Sequence, residues 1–170
     1  MRTALLLLSL AACQRQQPKL RADTIPRISE AITLDGELHE PPWNARSFRA
    51  VLVDGGEQAR PYSELRLLHD AENLYVGLYA ADEDIRSTDA WELSVNGHAY
   101  RFDATGHGEM PAGIDRDGTI DKPDDFDEEW VIETALALPA APIAIDAKRC
   151  DTLKDGSVRC GQWHGTLALE

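Results

Sequence analysis

The chain is poor in positive charge and in aromatic residues, and it lacks any motif for a catalytic nucleophile. Its 17 lysine and arginine residues are set against 30 aspartate and glutamate residues, which gives a net charge of −13 at pH 7. Such a surface repels phosphate groups, so nucleic acids and anionic lipid surfaces are excluded as partners. The five histidines are scattered without a metalloprotease spacing, and no nucleophile is paired with a base. We therefore predict that the protein is not an enzyme and has no catalytic residues.

Long apolar runs are confined to the N-terminus, where residues 4–10 follow a short basic start. This run leads into the sequence LAAC, which ends at Cys13 and resembles a bacterial lipobox. The resemblance implies a signal peptide over residues 1–12 and a lipid attached to the Cys13 sulfur. Residues 13–27 are predicted to form a flexible tether. We expect a lipid-anchored protein of the bacterial cell envelope. Gln14 favours the outer membrane, with the domain facing the periplasm or the cell surface.

Two further cysteines, Cys150 and Cys160, flank a turn signal at Asp155-Gly156. An exported protein meets an oxidising compartment, and two cysteines allow one intrachain disulfide. Closing so short a loop contributes about 2–3 kcal/mol. A metal site is the competing interpretation, but no third and fourth ligands are spaced for one.

The strongest local signals are two pairs of strands. Residues 64–84 read as two strands joined by a turn at 70–73, and the second strand is almost continuously apolar. Residues 90–103 alternate around Asn96-Gly97, which predicts a two-residue type I′ turn. That turn sets the register of the hairpin. One side is then largely apolar and forms the core, comprising Trp91, Leu93, Val95, His98, Tyr100 and Phe102. On the other side Glu92 faces Arg101.

Other short segments have the composition of strands, separated by turns rich in glycine and proline. They cover residues 32–34, 48–53, 130–138, 143–147 and 162–169. A single helical turn is expected around Trp43 after two prolines, and residues 105–129 form a long acidic excursion. About eight or nine strands and no long helix predict an all-β fold, an antiparallel β-sandwich with immunoglobulin-like or jelly-roll-like layers. We assign it to one domain, residues 28–170.

Four motifs, in this order, resemble carbohydrate-binding modules of family 9. They are ITLDGEL at 32–38 with Trp43, HDAENLYV at 69–76 with Asp82, WELSV at 91–95, and WVIETA at 130–135. The resemblance spans most of residues 30–170. It implies a β-sandwich that binds the ends of glycan chains or small saccharides without catalysis, and it implies structural calcium as a cofactor.

The same resemblance assigns a candidate ligand site. Glu92 and Arg101 match the glutamate and arginine that hold sugar hydroxyls, and Trp163 is the candidate for a stacking aromatic near the C-terminus. Residues 84–88, where a second stacking tryptophan is expected, contain no aromatic residue. An ordinary cross-strand ion pair between Glu92 and Arg101 is the alternative interpretation. The alternative function is a structural or protein-interaction domain that has lost the sugar site, as expected if residues 105–129 cover this face.

Asp115, Asp117 and Asp121 are candidate calcium ligands, because they offer hard oxygen atoms at short spacing. The segment departs from the EF-hand pattern at Thr119 and Ile120. An acidic turn is therefore the favoured interpretation.

Overall fold

Twelve β-strands and one short helix make up the part of the chain that the computed structural model describes, residues 23–108, 110 and 112–170. The strands are β1 (Thr24–Ile25), β2 (Phe48–Val51), β3 (Val53–Asp54), β4 (Glu57–Gln58), β5 (Ser63–His69), β6 (Asn73–Ala81), β7 (Ala90–Val95), β8 (His98–Asp103), β9 (Ala112–Asp117), β10 (Glu129–Ala137), β11 (Ile143–Thr152) and β12 (Val158–Leu169). Helix α1 spans Pro41–Ala45, and the described residues contain no helix long and apolar enough to cross a bilayer. The predicted signal peptide and the lipidation at Cys13 lie outside the described residues.

The strands form two sheets, which confirms the predicted β-sandwich. One sheet has the order β4-β3-β12-β11-β7-β8 with β1 added beside β12, and the other has the order β2-β5-β6-β10-β9. Every pairing is antiparallel except that of β1 with β12. The strand count exceeds the predicted eight or nine because β1, β3, β4 and β9 were not recognised as separate strands.

The hairpin of β7 and β8 has the predicted turn and register. Asn96 and Gly97 have φ values of 49° and 82°, the left-handed region that a type I′ turn requires. Trp91 lies opposite Phe102, and both side chains are buried in the core between the two sheets. Glu92 lies opposite Arg101 and points outward. The alternation of the sequence therefore assigns the two faces of this hairpin correctly.

The outer side of the five-stranded sheet is covered by residues 28–47. Trp43 in α1 is fully buried there, and its indole Nε1 donates a 2.6 Å hydrogen bond to Glu133 Oε1 on β10. The backbone N–H of Gly36 donates to the other oxygen of the same carboxyl group at 2.8 Å. Burial raises the pKa of Glu133 to about 7. One buried carboxyl group thus holds the LDG segment and the helical turn against the sheet.

Several predicted boundaries are wrong. Residues 32–34 form no strand, because this segment lies over the sheet instead of pairing with it. The predicted tether, residues 13–27, overlaps the fold, since Ile25 in β1 is fully buried in the core. Residues 105–129 contain β9, an edge strand paired with β10.

The predicted disulfide between Cys150 and Cys160 is confirmed, and it links β11 to β12.

Candidate functional site

The outer side of the seven-stranded sheet carries the predicted polar pair within a larger set of polar side chains. Arg101, Glu92, Lys148 and Gln162 form one row across β8, β7, β11 and β12. The next row consists of Ala99, Ser94, Asp146 and His164. Strand side chains alternate between faces, so these eight residues share one side, which we call the polar face.

A concavity of about 510 Å³ lies over the polar face, and all eight of its residues line it. None of the described residues of the 105–129 excursion lines this concavity, and the strand β9 of that excursion joins the opposite sheet. The surface therefore remains open in the described part of the chain. This is the arrangement expected for a ligand site rather than for a covered structural face.

The charges on the polar face are arranged differently from the predicted ion pair. Lys148 Nζ lies 3.2 Å from Glu92 Oε2, whereas the nearest carboxylate oxygen to Arg101 belongs to Asp103, at 3.6 Å. In the described part of the chain, Glu92 and Arg101 therefore do not form an ion pair with each other. Both side chains are more than half exposed, at 57% for Glu92 and 53% for Arg101. A guanidinium group has five N–H donors, so Arg101 retains donors that can reach a ligand.

Trp163 lies beside the polar face, but it is not in either of the two rows of residues that form this face. It lies opposite Ala147, which is buried in the core, and its ring packs against Phe48 with the centroids 5.5 Å apart. The ring passes over Gly165, where a Cβ atom would lie 2.5 Å from the indole. Trp163 is among the residues that line the concavity, but alternation along β12 directs its side chain away from the polar face, so its stacking role stays a prediction. All four aromatic residues of these strands point the same way: Trp91, Tyr100, Phe102 and Trp163.

Sequence reasoning missed four members of the polar face: Asp146, Lys148, Gln162 and His164. The disulfide could have located these residues, because it sets the register of β11 against β12. Cys150 lies opposite Cys160, and counting back from that pair places Lys148 opposite Gln162 and Ala147 opposite Trp163. The pairing of β11 with β7 brings together Lys148 and Glu92, which are 56 residues apart in the chain, and it has no such local signal.

A second and larger cleft of about 950 Å³ lies at one end of the sandwich. Its lining includes basic and acidic side chains together with Phe126, which is 76% exposed. None of the predicted ligand-binding residues lines this cleft. We therefore keep the polar face as the candidate site.

Solved structures with this fold include two of a carbohydrate-binding module of family 9. A family 9 module from Caldicellulosiruptor kristjanssonii in complex with cellotriose aligns with a TM-score of 0.62 at 14% identity, covering 87% of this chain and 93% of that chain. A family 9 module from the same organism in complex with glucose gives the same score and identity, covering 86% and 95%. In fold, the chain is similar to family 9 carbohydrate-binding modules. No protein-family model matches the sequence, and no curated protein matches it.

The family 9 resemblance implies calcium, but among the described residues the three predicted ligands are not brought together into a cluster that could hold a metal ion. Asp115 and Asp117 lie on β9, so the predicted acidic turn is confined to the residues after this strand, where residues 120 and 121 are in a turn. Asp121 accepts a hydrogen bond from the Ser87 backbone N–H. Among the described residues the one cluster that could hold a metal ion is elsewhere, formed by Asp82, Asp89 and Asp151.

This buried cluster already contains a cation. Arg149 Nη2 lies 2.6 Å from Asp82 Oδ2 and 2.7 Å from Asp151 Oδ1, in the space that a shared ion would need. Burial raises the pKa of Asp151 to about 7, although the guanidinium of Arg149 acts in the opposite direction. Burial also raises the pKa of Asp89. The residues present do not fit calcium, because a guanidinium and a metal ion cannot occupy the same position.

Proposed function

We propose that the protein is a non-catalytic carbohydrate-binding domain that recognises small saccharides or the ends of glycan chains at its polar face. The observation that carries the proposal is the open concavity on this face, lined by hydrogen-bonding side chains. The similarity of the fold to family 9 modules, which were solved with cellotriose and with glucose, supports it.

The polar face offers the groups that a sugar ring requires. Arg101 donates N–H groups to hydroxyl oxygens, Glu92 accepts hydroxyl protons, and Gln162 can do both. Lys148 Nζ lies 3.2 Å from Glu92 Oε2, and both residues line the concavity. With the aromatic side chains of these strands pointing into the core, binding would rest on hydrogen bonds rather than on stacking.

The binding test uses a glycan array followed by calorimetric titration of the purified protein, with cellotriose and glucose among the ligands. We expect Arg101→Ala to weaken binding roughly tenfold or more, since hydrogen bonds to charged groups contribute about 1.5–3 kcal/mol. Arg27→Ala is the matched control, because Arg27 is an exposed arginine that does not line the concavity. The affinity of Arg27→Ala for the saccharide should equal that of the wild type. Failure to bind any saccharide, or unchanged affinity of Arg101→Ala, would contradict the proposal.

A second candidate function is a structural or protein-interaction domain with the same fold. The core-facing position of Trp163 favours it, because aromatic stacking is a main source of affinity for sugars. A negative glycan array together with co-purification of a protein partner that the double variant Glu92→Ala, Arg101→Ala abolishes would favour this candidate.

We also propose that the domain is exported and anchored in the bacterial envelope by a lipid on Cys13, with the outer membrane as its location. The LAAC motif and the disulfide support this proposal. Metabolic labelling with an alkyne fatty acid should label the wild type and leave Cys13→Ser unlabelled. Equal labelling of both proteins would count against the anchor.

A further inference from the structure

We infer that Arg149 is a built-in counter-cation for the buried acidic cluster, and that this domain is stable without a bound metal ion. The cluster, which we call the Arg149 cluster, comprises Asp82, Asp89, Arg149 and Asp151. Asp89 is fully buried, and the other three side chains are at most 4% exposed. Three buried carboxyl groups at this spacing require positive charge or protons, since an unpaired buried carboxylate is strongly unfavourable.

The guanidinium group of Arg149 supplies that charge from a central position. Nη2 donates to both Asp82 and Asp151, and Nη1 donates to the carbonyl oxygen of Ala81 at 3.0 Å. The guanidinium carbon also lies 5.9 Å from the centre of the Trp130 ring, which is within cation–π range.

The carboxylate oxygens of Asp82 and Asp89 also accept hydrogen bonds from other N–H donors. The two oxygens of Asp89 accept from the backbone N–H groups of Arg86 and Thr152, both at 2.7 Å. Asp82 accepts from the backbone N–H of Asp84 at 3.0 Å and from the Trp130 indole at 3.1 Å. Each of these donors uses a lone pair that would otherwise be available to a calcium ion, which takes six to eight oxygen ligands.

The Arg149 cluster also joins the two sheets. Arg149 and Asp151 belong to β11 in the seven-stranded sheet, whereas Ala81 ends β6 in the five-stranded sheet and Asp82 follows it. The arginine therefore bridges the sandwich at the point where a shared metal ion would otherwise be needed to hold these carboxylates. Asp127 is likewise buried, and its carboxylate oxygens accept hydrogen bonds from the backbone N–H groups of Thr119 and Ile85.

Thermal unfolding of the purified full chain in excess EDTA and in millimolar calcium chloride tests the inference directly. We expect the two melting temperatures to coincide and elemental analysis to find no stoichiometric calcium. A native calcium site saturated about a hundredfold above its Kd would raise the melting temperature by roughly 5–10 °C. A shift of that size, or one bound calcium per chain, would overturn the inference.

Substitutions of Arg149 distinguish the contribution of its charge to stability from the contribution of its packing. Arg149→Gln removes the cation, so we expect a much lower melting temperature than for the exposed control Arg27→Gln, and a rise when calcium is added. Arg149→Lys retains the charge and should melt between the wild type and Arg149→Gln, without a response to calcium. If Arg149→Gln does not fold while Arg149→Lys does, the inference stands. It fails if Arg149→Lys is as unstable as Arg149→Gln, or if Arg149→Gln melts like the control.

Discussion

Removing the Glu133 carboxyl group should release the segment that covers the five-stranded sheet. The Trp43 indole and the Gly36 backbone N–H both donate to this group inside the protein, at 2.6 and 2.8 Å. Asp35 contributes a third, partly buried N–H at 3.2 Å. A buried donor left without an acceptor costs about 1–3 kcal/mol, so the two buried donors predict a loss of about 2–6 kcal/mol in Glu133→Ala. That is a large part of the stability of a typical domain.

Urea unfolding, followed by circular dichroism and by tryptophan fluorescence, measures this loss. Glu133→Gln keeps the size of the side chain and one acceptor oxygen, so it should fall between the wild type and Glu133→Ala. Glu57→Ala is the control, because Glu57 is exposed on β4 and its replacement should change the free energy of unfolding by less than about 0.5 kcal/mol. A loss below about 1 kcal/mol in Glu133→Ala would refute the reasoning, since it would mean that these donors find water or other acceptors.

Two further predictions concern the pH dependence of stability and the replacement of two glycines by alanine. Burial raises the pKa values of Glu133 and Asp151 to about 7, from 4.5 and 3.8, so the folded protein binds these protons more tightly than the unfolded chain does. The free energy of unfolding should therefore fall as the pH rises from about 4 to about 7, and it should level off above about pH 7. Melting curves in which the stability rises between about pH 4 and about pH 7 would contradict this prediction. Gly36 has φ +94° and a Cβ there would lie 2.3 Å from Asp115 N, whereas Gly97 has φ +82° in open space. By urea unfolding, Gly36→Ala should lose several times more stability than Gly97→Ala, which should lose about 1 kcal/mol, and equal losses would rule out the close contact.

The parts of the fold that follow from neighbouring residues could be predicted. Asn96 and Gly97 accept positive φ angles, so they specify the turn, and strand alternation then assigns Trp91 to the core and Glu92 to the surface. The disulfide between Cys150 and Cys160 was predictable because the two cysteines flank a turn. Each of these inferences needs only short-range geometry.

The parts that depend on pairing between distant strands could not be predicted. Strand β9 lies within an acidic segment without alternating apolar residues, and it exists because β10 offers it hydrogen-bonding partners. Trp163 was expected to face a ligand, yet its side chain follows that of Ala147 into the core. Arg149 and Asp151 alternate with outward residues of β11, but only the packing of the other sheet shows that they meet Asp82.

By itself, the sequence determined an acidic protein with a β-sandwich fold, one tight hairpin with assigned faces, and one disulfide. These features depend on composition, on backbone preferences and on the two-residue period of a strand. The tertiary structure alone decided which side chains share the polar face and which carboxyl groups share a buried cation. Such groupings arise when strands far apart in the chain become neighbours in a sheet, and no local periodicity carries that information.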